Sequence, residues 1–511
     1  MARQTKVLQK DNIDRRELGY YYTPPFVADY ISKRLLTLNP NGKKVLDPSV
    51  GQEELLDNFF DADKEVDGID VYQHKDNYQS NFRQQDFIEY YSTIKQKNNN
   101  EQISLFEDSS EDNGITFRNG LPYDYYIANP PYNCHEVNYI RDNKASLKAL
   151  FGNVGVHNMY SMFISSIIDV AKNGAYIGLI THDSFLTAKH HTKLREQLLN
   201  ECTIHEITLC PNDLFHEQDA DVRTSILILQ KGTEYQGDVF VSNRPSSTQA
   251  FKQQLAQQLT NFATSNYKAY QLNDITLTSS RDNSELIIEC PDDVKVLFAN
   301  ERLGEAYRCV TGISTGNDKL YLSEKKEEPF TVPFYKNPGK NRFFTDNYIY
   351  LHKDFLTFDA EIKNFMVRNK SLLFQPGITC SSMGVQFTAC RLPEQTTYGV
   401  NANIICDDED AWWLLAYLNS ELVTYLVRGI LIRSNMITSG YVSRIPLLNL
   451  TEKNKTTLSD LAKSAYQKVK DDHSYEHIQE EINEVVNELA EISDQTIEMI
   501  RHFNLDLIKN T

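Results

Sequence analysis

The 511-residue chain, 41% hydrophobic and 11% aromatic, has the composition of a globular protein with room for about two to four domains, which excludes fibrous and wholly disordered classes. A formal charge of −18 excludes a protein that coats nucleic acid by bulk attraction, while permitting a local basic groove on an acidic body. Met1 to Asp11 carries charges without an apolar core and no stretch reaches membrane-spanning length, so neither a signal peptide nor a membrane segment is expected, and the cytoplasm is the expected location. Eight cysteines are scattered without a CxxC pair or a histidine at ligand spacing, so reduced thiols are expected, with no disulfide framework and no metal.

After a polar leader, residues 1–18, the run Gly19-Tyr20-Tyr21-Tyr22-Thr23-Pro24-Pro25 precedes an amphipathic segment, Phe26 to Ile31. Thr23 is predicted to cap a helix with Pro24 in its first turn, and a capped helix start can meet a carboxylate or another anion. Lys43 to Pro48 reads as a strand running into the small-residue loop Ser49-Val50-Gly51, followed by the helical stretch Glu54 to Phe60. Strand, loop and helix in that order open a nucleotide-binding βαβ unit. A second strand, Glu65 to Asp70, ends in an acid about twenty residues later, where a carboxylate can hold a ribose diol. Next comes Gln84-Gln85-Asp86-Phe87, whose Asp86 is suited to accept from an adenine amine.

Asn98 to Asn113 is polar, acidic and serine-containing, and is predicted to be a mobile insertion. Tyr123 to Ala128 is a short buried strand, closed by Asn129-Pro130-Pro131-Tyr132 at the edge where open α/β sheets place their chemistry. Two prolines remove two backbone donors and stiffen the turn, so the Asn129 side-chain oxygen and the Pro130 carbonyl are presented as acceptors. An exocyclic aromatic amine shares its lone pair with its ring. Acceptors on its two protons localise that pair for attack without a strong base. Tyr132 offers a flat face for a base taken out of its stack. The motif by itself also suits a rigid surface turn, and its context decides between the two.

In that context the sequence resembles the S-adenosylmethionine-dependent adenine DNA methyltransferases of restriction-modification systems, in the gamma arrangement, whose cofactor motifs precede Asn-Pro-Pro-Tyr and whose target recognition region follows. The resemblance implies an α/β fold: a doubly wound, Rossmann-like class I methyltransferase domain over 19–235, a linking segment 236–303, an α+β target recognition domain over 304–450, and C-terminal helices 451–511. It places Tyr21, Tyr22, Thr23 and Pro24 near the methionine carboxylate, and Asp47, Pro48, Ser49 and Gly51 near the methionine moiety. Asp70 falls at the ribose, Asp86 and Phe87 at the adenine, and Phe215 opposite Tyr132 against the flipped base. Where the family loop has a second glycine this chain has Glu53, which is expected to crowd the cofactor and add negative charge beside it.

Further along, Asn133 to Val156 reads as a polar loop, Met159 to Ile168 as a core helix and Gly174 to Thr181 as a buried strand. Leu214-Phe215 and Val222 to Leu229 suggest a final hairpin, and a polar, Gln-rich stretch follows Lys231-Gly232 through Gln258. Residues 304–450 carry as many basic as acidic residues, and Val310 to Lys319 has glycines suited to close backbone approach. Lys336, Lys340, Arg342 and Arg391 are the candidates for phosphate contact. Trp412 to Ser420 reads as a buried helix, and the acidic pattern beyond Thr451 as amphipathic helices. The expected partner is double-stranded DNA. With no nuclease or helicase motif in the chain, cleavage would come from a separate restriction or defence subunit. RNA or protein-glutamine methylation, and a catalytically weakened DNA-binding subunit, are the alternatives that these residues leave open.

Overall fold

The computed structural model describes residues 19–104, 120–133, 137–218, 222–233, 237–261, 267–336, 338–346, 348–382, 386–432 and 436–509. The chain forms two compact units, one reaching Thr278 and including Asn283–Ile288, the other made of Ser279–Asp282 and Glu289–Thr511.

The first unit is built on a nine-stranded sheet in the order β3-β2-β1-β4-β5-β7-β6-β8-β9. Its strands are β1 (Lys44–Asp47), β2 (Glu65–Asp70), β3 (Asn81–Gln84), β4 (Tyr125–Ala128), β5 (Tyr176–His182), β6 (Cys202–Leu209), β7 (Thr224–Lys231), β8 (Val239–Ser242) and β9 (Tyr267–Tyr270). The first five run parallel, and β7 lies antiparallel between β5 and β6. The central strand β4 is covered on both faces and every one of its residues is buried, whereas β3 at the sheet edge is polar and largely exposed. From β1 the chain winds outward through β2 and β3, then returns to β4 on the other side of β1. The carboxyl ends of β1 and β4 therefore flank a topological switch point, where such sheets hold ligands.

Helix α1 (Pro25–Leu38) packs on β5 and places the segment before it at that edge. Its anchor is polar. Glu206, fully buried at the bulge of β6, accepts from Arg34 Nε at 2.7 Å and from Tyr30 Oη at 2.9 Å. The predicted cap is corrected here: Pro24 occupies the N-cap position, Pro25 opens the helix, and the Thr23 hydroxyl is turned to another partner.

Helix α2 (Asp57–Asp61) follows the β1 loop, and helix α3 (Phe87–Ser104) runs through Asn98–Asn100, where a loop was expected; residues 105–113 of that expected insertion lie outside the described residues. The polar stretch after the central motif also contains helices, α4 (Asn138–Asp142) and α5 (Lys144–Phe151), each pinned by buried apolar residues, Ile140 and then Leu147 and Phe151. Helix α6 (Met159–Val170) and strand β5 are as read. The hairpin partner of β7 is β6, while Leu214-Phe215 belongs to the turn joining them.

Helix α7 (Thr192–Glu201) precedes β6. The methyltransferase-like unit does not stop near 235. Strands β8 and β9 extend the same sheet, and the Gln-rich stretch is helix α8 (Thr248–Thr260), which buries Phe251, Gln254, Leu255 and Gln258 at helical spacing. Glutamines on the inner face hid that period from a count of apolar residues.

In the second unit, Arg308–Val310, Asn403–Ile405, Gly377–Cys380 and Ala389–Leu392 form an antiparallel sheet, and Leu322–Ser323, Tyr348–His352, Phe330–Tyr335 and Thr397–Tyr398 a mixed one whose last pair is parallel. Helix α9 (Asp408–Leu418) is buried as read, α10 (Glu421–Tyr425) follows it, and the terminal helices α11 (Glu452–Lys470), α12 (Glu476–Leu489) and α13 (Asp494–Lys509) pack on these within the same unit. Among the described residues no helix is long and apolar enough to cross a membrane.

Arg34→Met strips a buried carboxylate of its cationic partner, so urea unfolding should find the variant destabilised by about 3 kcal/mol at unchanged slope.

Candidate active site

Beyond the carboxyl ends of β1, β2 and β4 lies an open cleft. Pro48 and Ser49 from the β1 loop, Asp70 from β2, Phe87 from the start of α3, and Asn129 and Pro131 from the β4 turn all line it. Gly19, Tyr20, Val71, Tyr72, His74, Gln85 and Phe163 complete the wall. Those additions carried no sequence signal of their own, and Phe163 was indistinguishable from a core residue of α6.

Asn129 is held by its nitrogen. Nδ2 donates to the Tyr21 carbonyl at 2.7 Å and to Thr23 Oγ1 at 3.0 Å. A carbonyl can only accept, so the amide cannot be turned the other way. Its Oδ1 is buried and has no hydrogen-bond partner among the described residues, an arrangement that buried acceptors rarely tolerate unless a ligand completes them. The neighbouring backbone fixes the turn: Tyr132 N donates to Gly19 O at 3.3 Å and Met159 N to Asn133 O at 2.9 Å. Gly19 has φ +63°, and a Cβ there would sit 1.4 Å from Asn133 Oδ1, so only glycine fits where residues 19–24 meet the motif.

Tyr21 and Tyr22 lie in the irregular segment after Gly19, outside the cleft wall. Gln218 clasps Tyr22 by paired bonds, accepting from Tyr22 N and donating to Tyr22 O, each at 2.8 Å. The ring of Tyr21 stacks on Tyr132 with centroids 5.6 Å apart and planes 23° apart. Phe215 was expected opposite Tyr132 across the target base. Instead it is fully buried and meets Tyr132 edge-on, at 6.2 Å and 77°, so no slot separates them. A base between two faces needs ring centroids about 7 Å apart, twice a van der Waals contact; the face of Tyr132 is held by Tyr21.

The acids at the strand ends are each tied down. Asp70 accepts from Gly51 N and Tyr72 N, both at 3.0 Å, with His74 Nε2 at 3.4 Å. Gly51 has φ +53°, and a side chain there would strike the Tyr20 ring at 2.9 Å. Asp47 is 1% exposed and accepts from Ser49 N at 3.0 Å; burial above all, then the charges of Glu54, Asp70 and Glu53, push its carboxyl well above the usual range. Asp86 was expected at an adenine amine. Its oxygens serve the fold, Oδ1 capping α3 through Ile88 N at 2.7 Å and Oδ2 taking the Tyr139 hydroxyl at 2.6 Å, and Gln85 and Phe87 face the cleft in its place.

Glu53 does not crowd the cleft. It takes φ +71°, the conformation a glycine would supply, and is 3% exposed with its carboxylate turned to residues 75–80.

In the second unit, two of the cations read as phosphate contacts are internal. Arg342 donates to Asn419 O at 2.7 Å and to Gln479 Oε1 at 3.2 Å, and burial lowers its pKa. Arg391 donates to Gly377 O at 2.8 Å and Leu392 O at 3.0 Å, pairs with Asp408 and lies over Trp412. Arg342 thus serves the carbonyl at the end of helix α9, and Arg391 serves carbonyls of the strands beside it. Lys336 and Lys340 are exposed, Lys336 paired with Asp318 at 2.5 Å. The glycines of the 310–319 stretch serve packing: a Cβ on Gly312 would lie 2.0 Å from Tyr398 O.

An acid whose pKa rises on folding weakens the fold above its unfolded pKa, near 4, and the penalty grows until the folded pKa is passed. Asp47→Asn keeps the acceptor for Ser49 and removes the charge. Chemical denaturation should therefore find the variant gaining on the parent as pH rises from 5 to 8.

Residues 8–274 match the sequence profile of the N-6 DNA methylase family. The type II methyltransferase M.BanIII of Aneurinibacillus aneurinilyticus is 30% identical over 208 residues, 38% of this chain and 36% of that protein, so the chain spans little more than a third of the relative's length. Among solved structures, MmeI, a type IIL restriction-modification enzyme in complex with DNA, superposes with a TM-score of 0.54 at 10% identity, covering 97% of this chain and 80% of that one. The DrdV–DNA complex does so at 0.54 and 11%, covering 88% and 57%. At such identities the structures establish the fold, a class I methyltransferase sheet followed by a second α+β unit. The profile match, covering more than half of the sequence, establishes that the chain belongs to the N-6 DNA methylase family.

Proposed function

We propose that this chain transfers a methyl group from S-adenosylmethionine to the exocyclic amine of an adenine in DNA, as the modification enzyme of a restriction-modification system. The observation that carries the reading is the buried, unpartnered Oδ1 of Asn129 at the edge of the cleft. Family membership supports it, as do a relative that is a type II methyltransferase and fold neighbours solved with DNA.

The cleft fits the cofactor by its donor set: a carboxylate at the end of β2 for a ribose diol, the Gln85–Phe87 wall for a purine, and a β1 loop whose Gly51 leaves room for nothing larger. When bound, S-adenosylmethionine supplies an already activated methyl carbon, so the protein's task is alignment. Asn129 Oδ1 and the adjacent Pro130 carbonyl accept from the two N–H groups of the adenine amine and localise its lone pair. As the new nitrogen–carbon bond forms and the carbon–sulfur bond breaks, the amine sheds one proton to solvent. The carbonyls hold the developing charge through positions fixed before substrate arrives.

The base is received on the face of Tyr132, and Tyr21 must yield that face first. Residues 304–450 read the surrounding DNA, with Lys336 and Lys340 on phosphates. The chain acts in the cytoplasm, and a separate subunit supplies any cleavage. With the Glu53 carboxylate turned to residues 75–80, the weakened-subunit alternative is left with the −18 charge alone as its motive.

Asn129→Ala removes the acceptor and leaves the cofactor wall, so it is expected to bind S-adenosylmethionine within a few-fold of the parent while transfer to DNA falls by about a hundredfold or more. Transfer of a labelled methyl group to unmethylated DNA, RNA and protein, with nucleoside analysis, checks this. Label as methyladenine in DNA alone supports the reading, and an unchanged rate in the variant overturns the mechanism.

A further inference from the structure

We propose that Glu53 is a positioning residue: from the β1 loop its buried carboxylate holds residues 71–80 in place as a wall of the cleft, and so sets the affinity for the methyl donor. The inference rests on the function proposed above and deepens it.

At φ +71° a glutamate is strained where a glycine is not, so its retention needs a side-chain reason. The reason is in its contacts. Oε1 accepts from Ser80 N at 2.7 Å, Oε2 accepts from Gln79 N at 3.1 Å, and Lys75 closes an ion pair on Oε2. The carboxylate is 3% exposed and still sits below its ordinary pKa, because these donors outweigh the burial that would raise it. Charge-assisted bonds of this kind, shielded from water, are stronger than their exposed counterparts.

What the carboxylate holds is the part of the chain that faces the ligand. Val71, Tyr72 and His74 line the cleft, and the bonds at Lys75, Gln79 and Ser80 fix the far end of the same excursion. A second tie runs beside the first: the Tyr78 hydroxyl accepts from His74 N at 2.8 Å and donates to Gly51 O at 3.0 Å. His74 in turn stacks on Tyr20 at 4.8 Å and 17°, and Tyr20 donates to Glu54 at 2.5 Å. The β1 loop and the β2 loop are thus joined at both ends of the wall, and Glu53 supplies the join that depends on charge. Both segments belong to the first unit.

The test compares the full chain with Glu53→Gly, Glu53→Gln and Lys75→Met. Each is assayed for binding of S-adenosylhomocysteine by titration calorimetry, for backbone hydrogen exchange without ligand, and for methyl transfer to DNA. Glycine relieves the backbone but loses the carboxylate. Exchange at Gln79 and Ser80 should then quicken, S-adenosylhomocysteine binding should weaken about tenfold, and KM for the donor should rise at near-constant kcat, since removal of charged hydrogen bonds of this kind corresponds to roughly that factor or more. Glu53→Gln keeps one acceptor and should fall between glycine and the parent, and Lys75→Met, which leaves the β1 loop intact, should weaken binding in the same direction. Strands β4 and β5 should keep their exchange protection in all three, which separates a local loosening from a damaged fold. Binding by Glu53→Gly as tight as the parent's, or unchanged exchange at Gln79 and Ser80, overturns the proposal. Failure of the parent itself to bind S-adenosylhomocysteine overturns the function first and this inference with it.

Discussion

An amide side chain has a donating end and an accepting end, and the geometry of this site depends on the first being consumed. The Tyr21 carbonyl and the Thr23 hydroxyl take the nitrogen of Asn129, which leaves the oxygen buried and unanswered. Much of the first unit serves that grip. Burial of β4 fixes where the asparagine emerges, Gly19 lets its own segment pass close to Asn133, Gln218 clasps Tyr22, and α1 is clamped to β6 through Arg34 and Glu206. Loosening any of these frees the carboxamide to turn, and an asparagine that can turn presents two ends instead of one.

A second constraint is electrostatic. Asp47, Glu53, Glu54 and Asp70 crowd the loops after β1 and β2, in a chain already at −18. Such a cluster holds together because its charge is met locally, by backbone N–H groups at Ser49, Gly51, Gln52, Tyr72, Gln79 and Ser80 and by the Lys75 ammonium. Amides pointed at carboxylates in a shielded site do the work that water would do at the surface. Asp47 is the member least well served, and its raised pKa records that.

Much of this was legible from residue types and spacing. Prolines after an apolar run marked the end of β4, and the distance from the β1 loop to Asp70 marked the nucleotide-binding unit, because both depend on backbone periodicity. What escaped depends on the direction of a side chain. Asp86 lies at the expected strand end, yet Tyr139, distant in sequence, turns it into structure. Arg342 and Arg391 look like surface cations until backbone carbonyls claim them, one at the end of helix α9 and the other in the sheet. Glu53 looked like an intruder in a glycine position because spacing reveals the backbone requirement and not where the side chain goes. The Gln-rich helix α8 hid for a related reason: its inner face is partly polar, and the period was there in burial before it was there in hydrophobicity.

The grip on Asn129 joins residues 108 positions apart, and between them the chain lays down β1, β2 and β3 before β4 enters the sheet. Until β4 is seated and Tyr21 and Thr23 have closed over it, the asparagine has water at both ends and favours no orientation. A nascent or partly melted chain therefore has the motif without the chemistry. The single orientation of that carboxamide arrives together with tertiary closure, because the partners that fix it are brought to it only by the folded sheet.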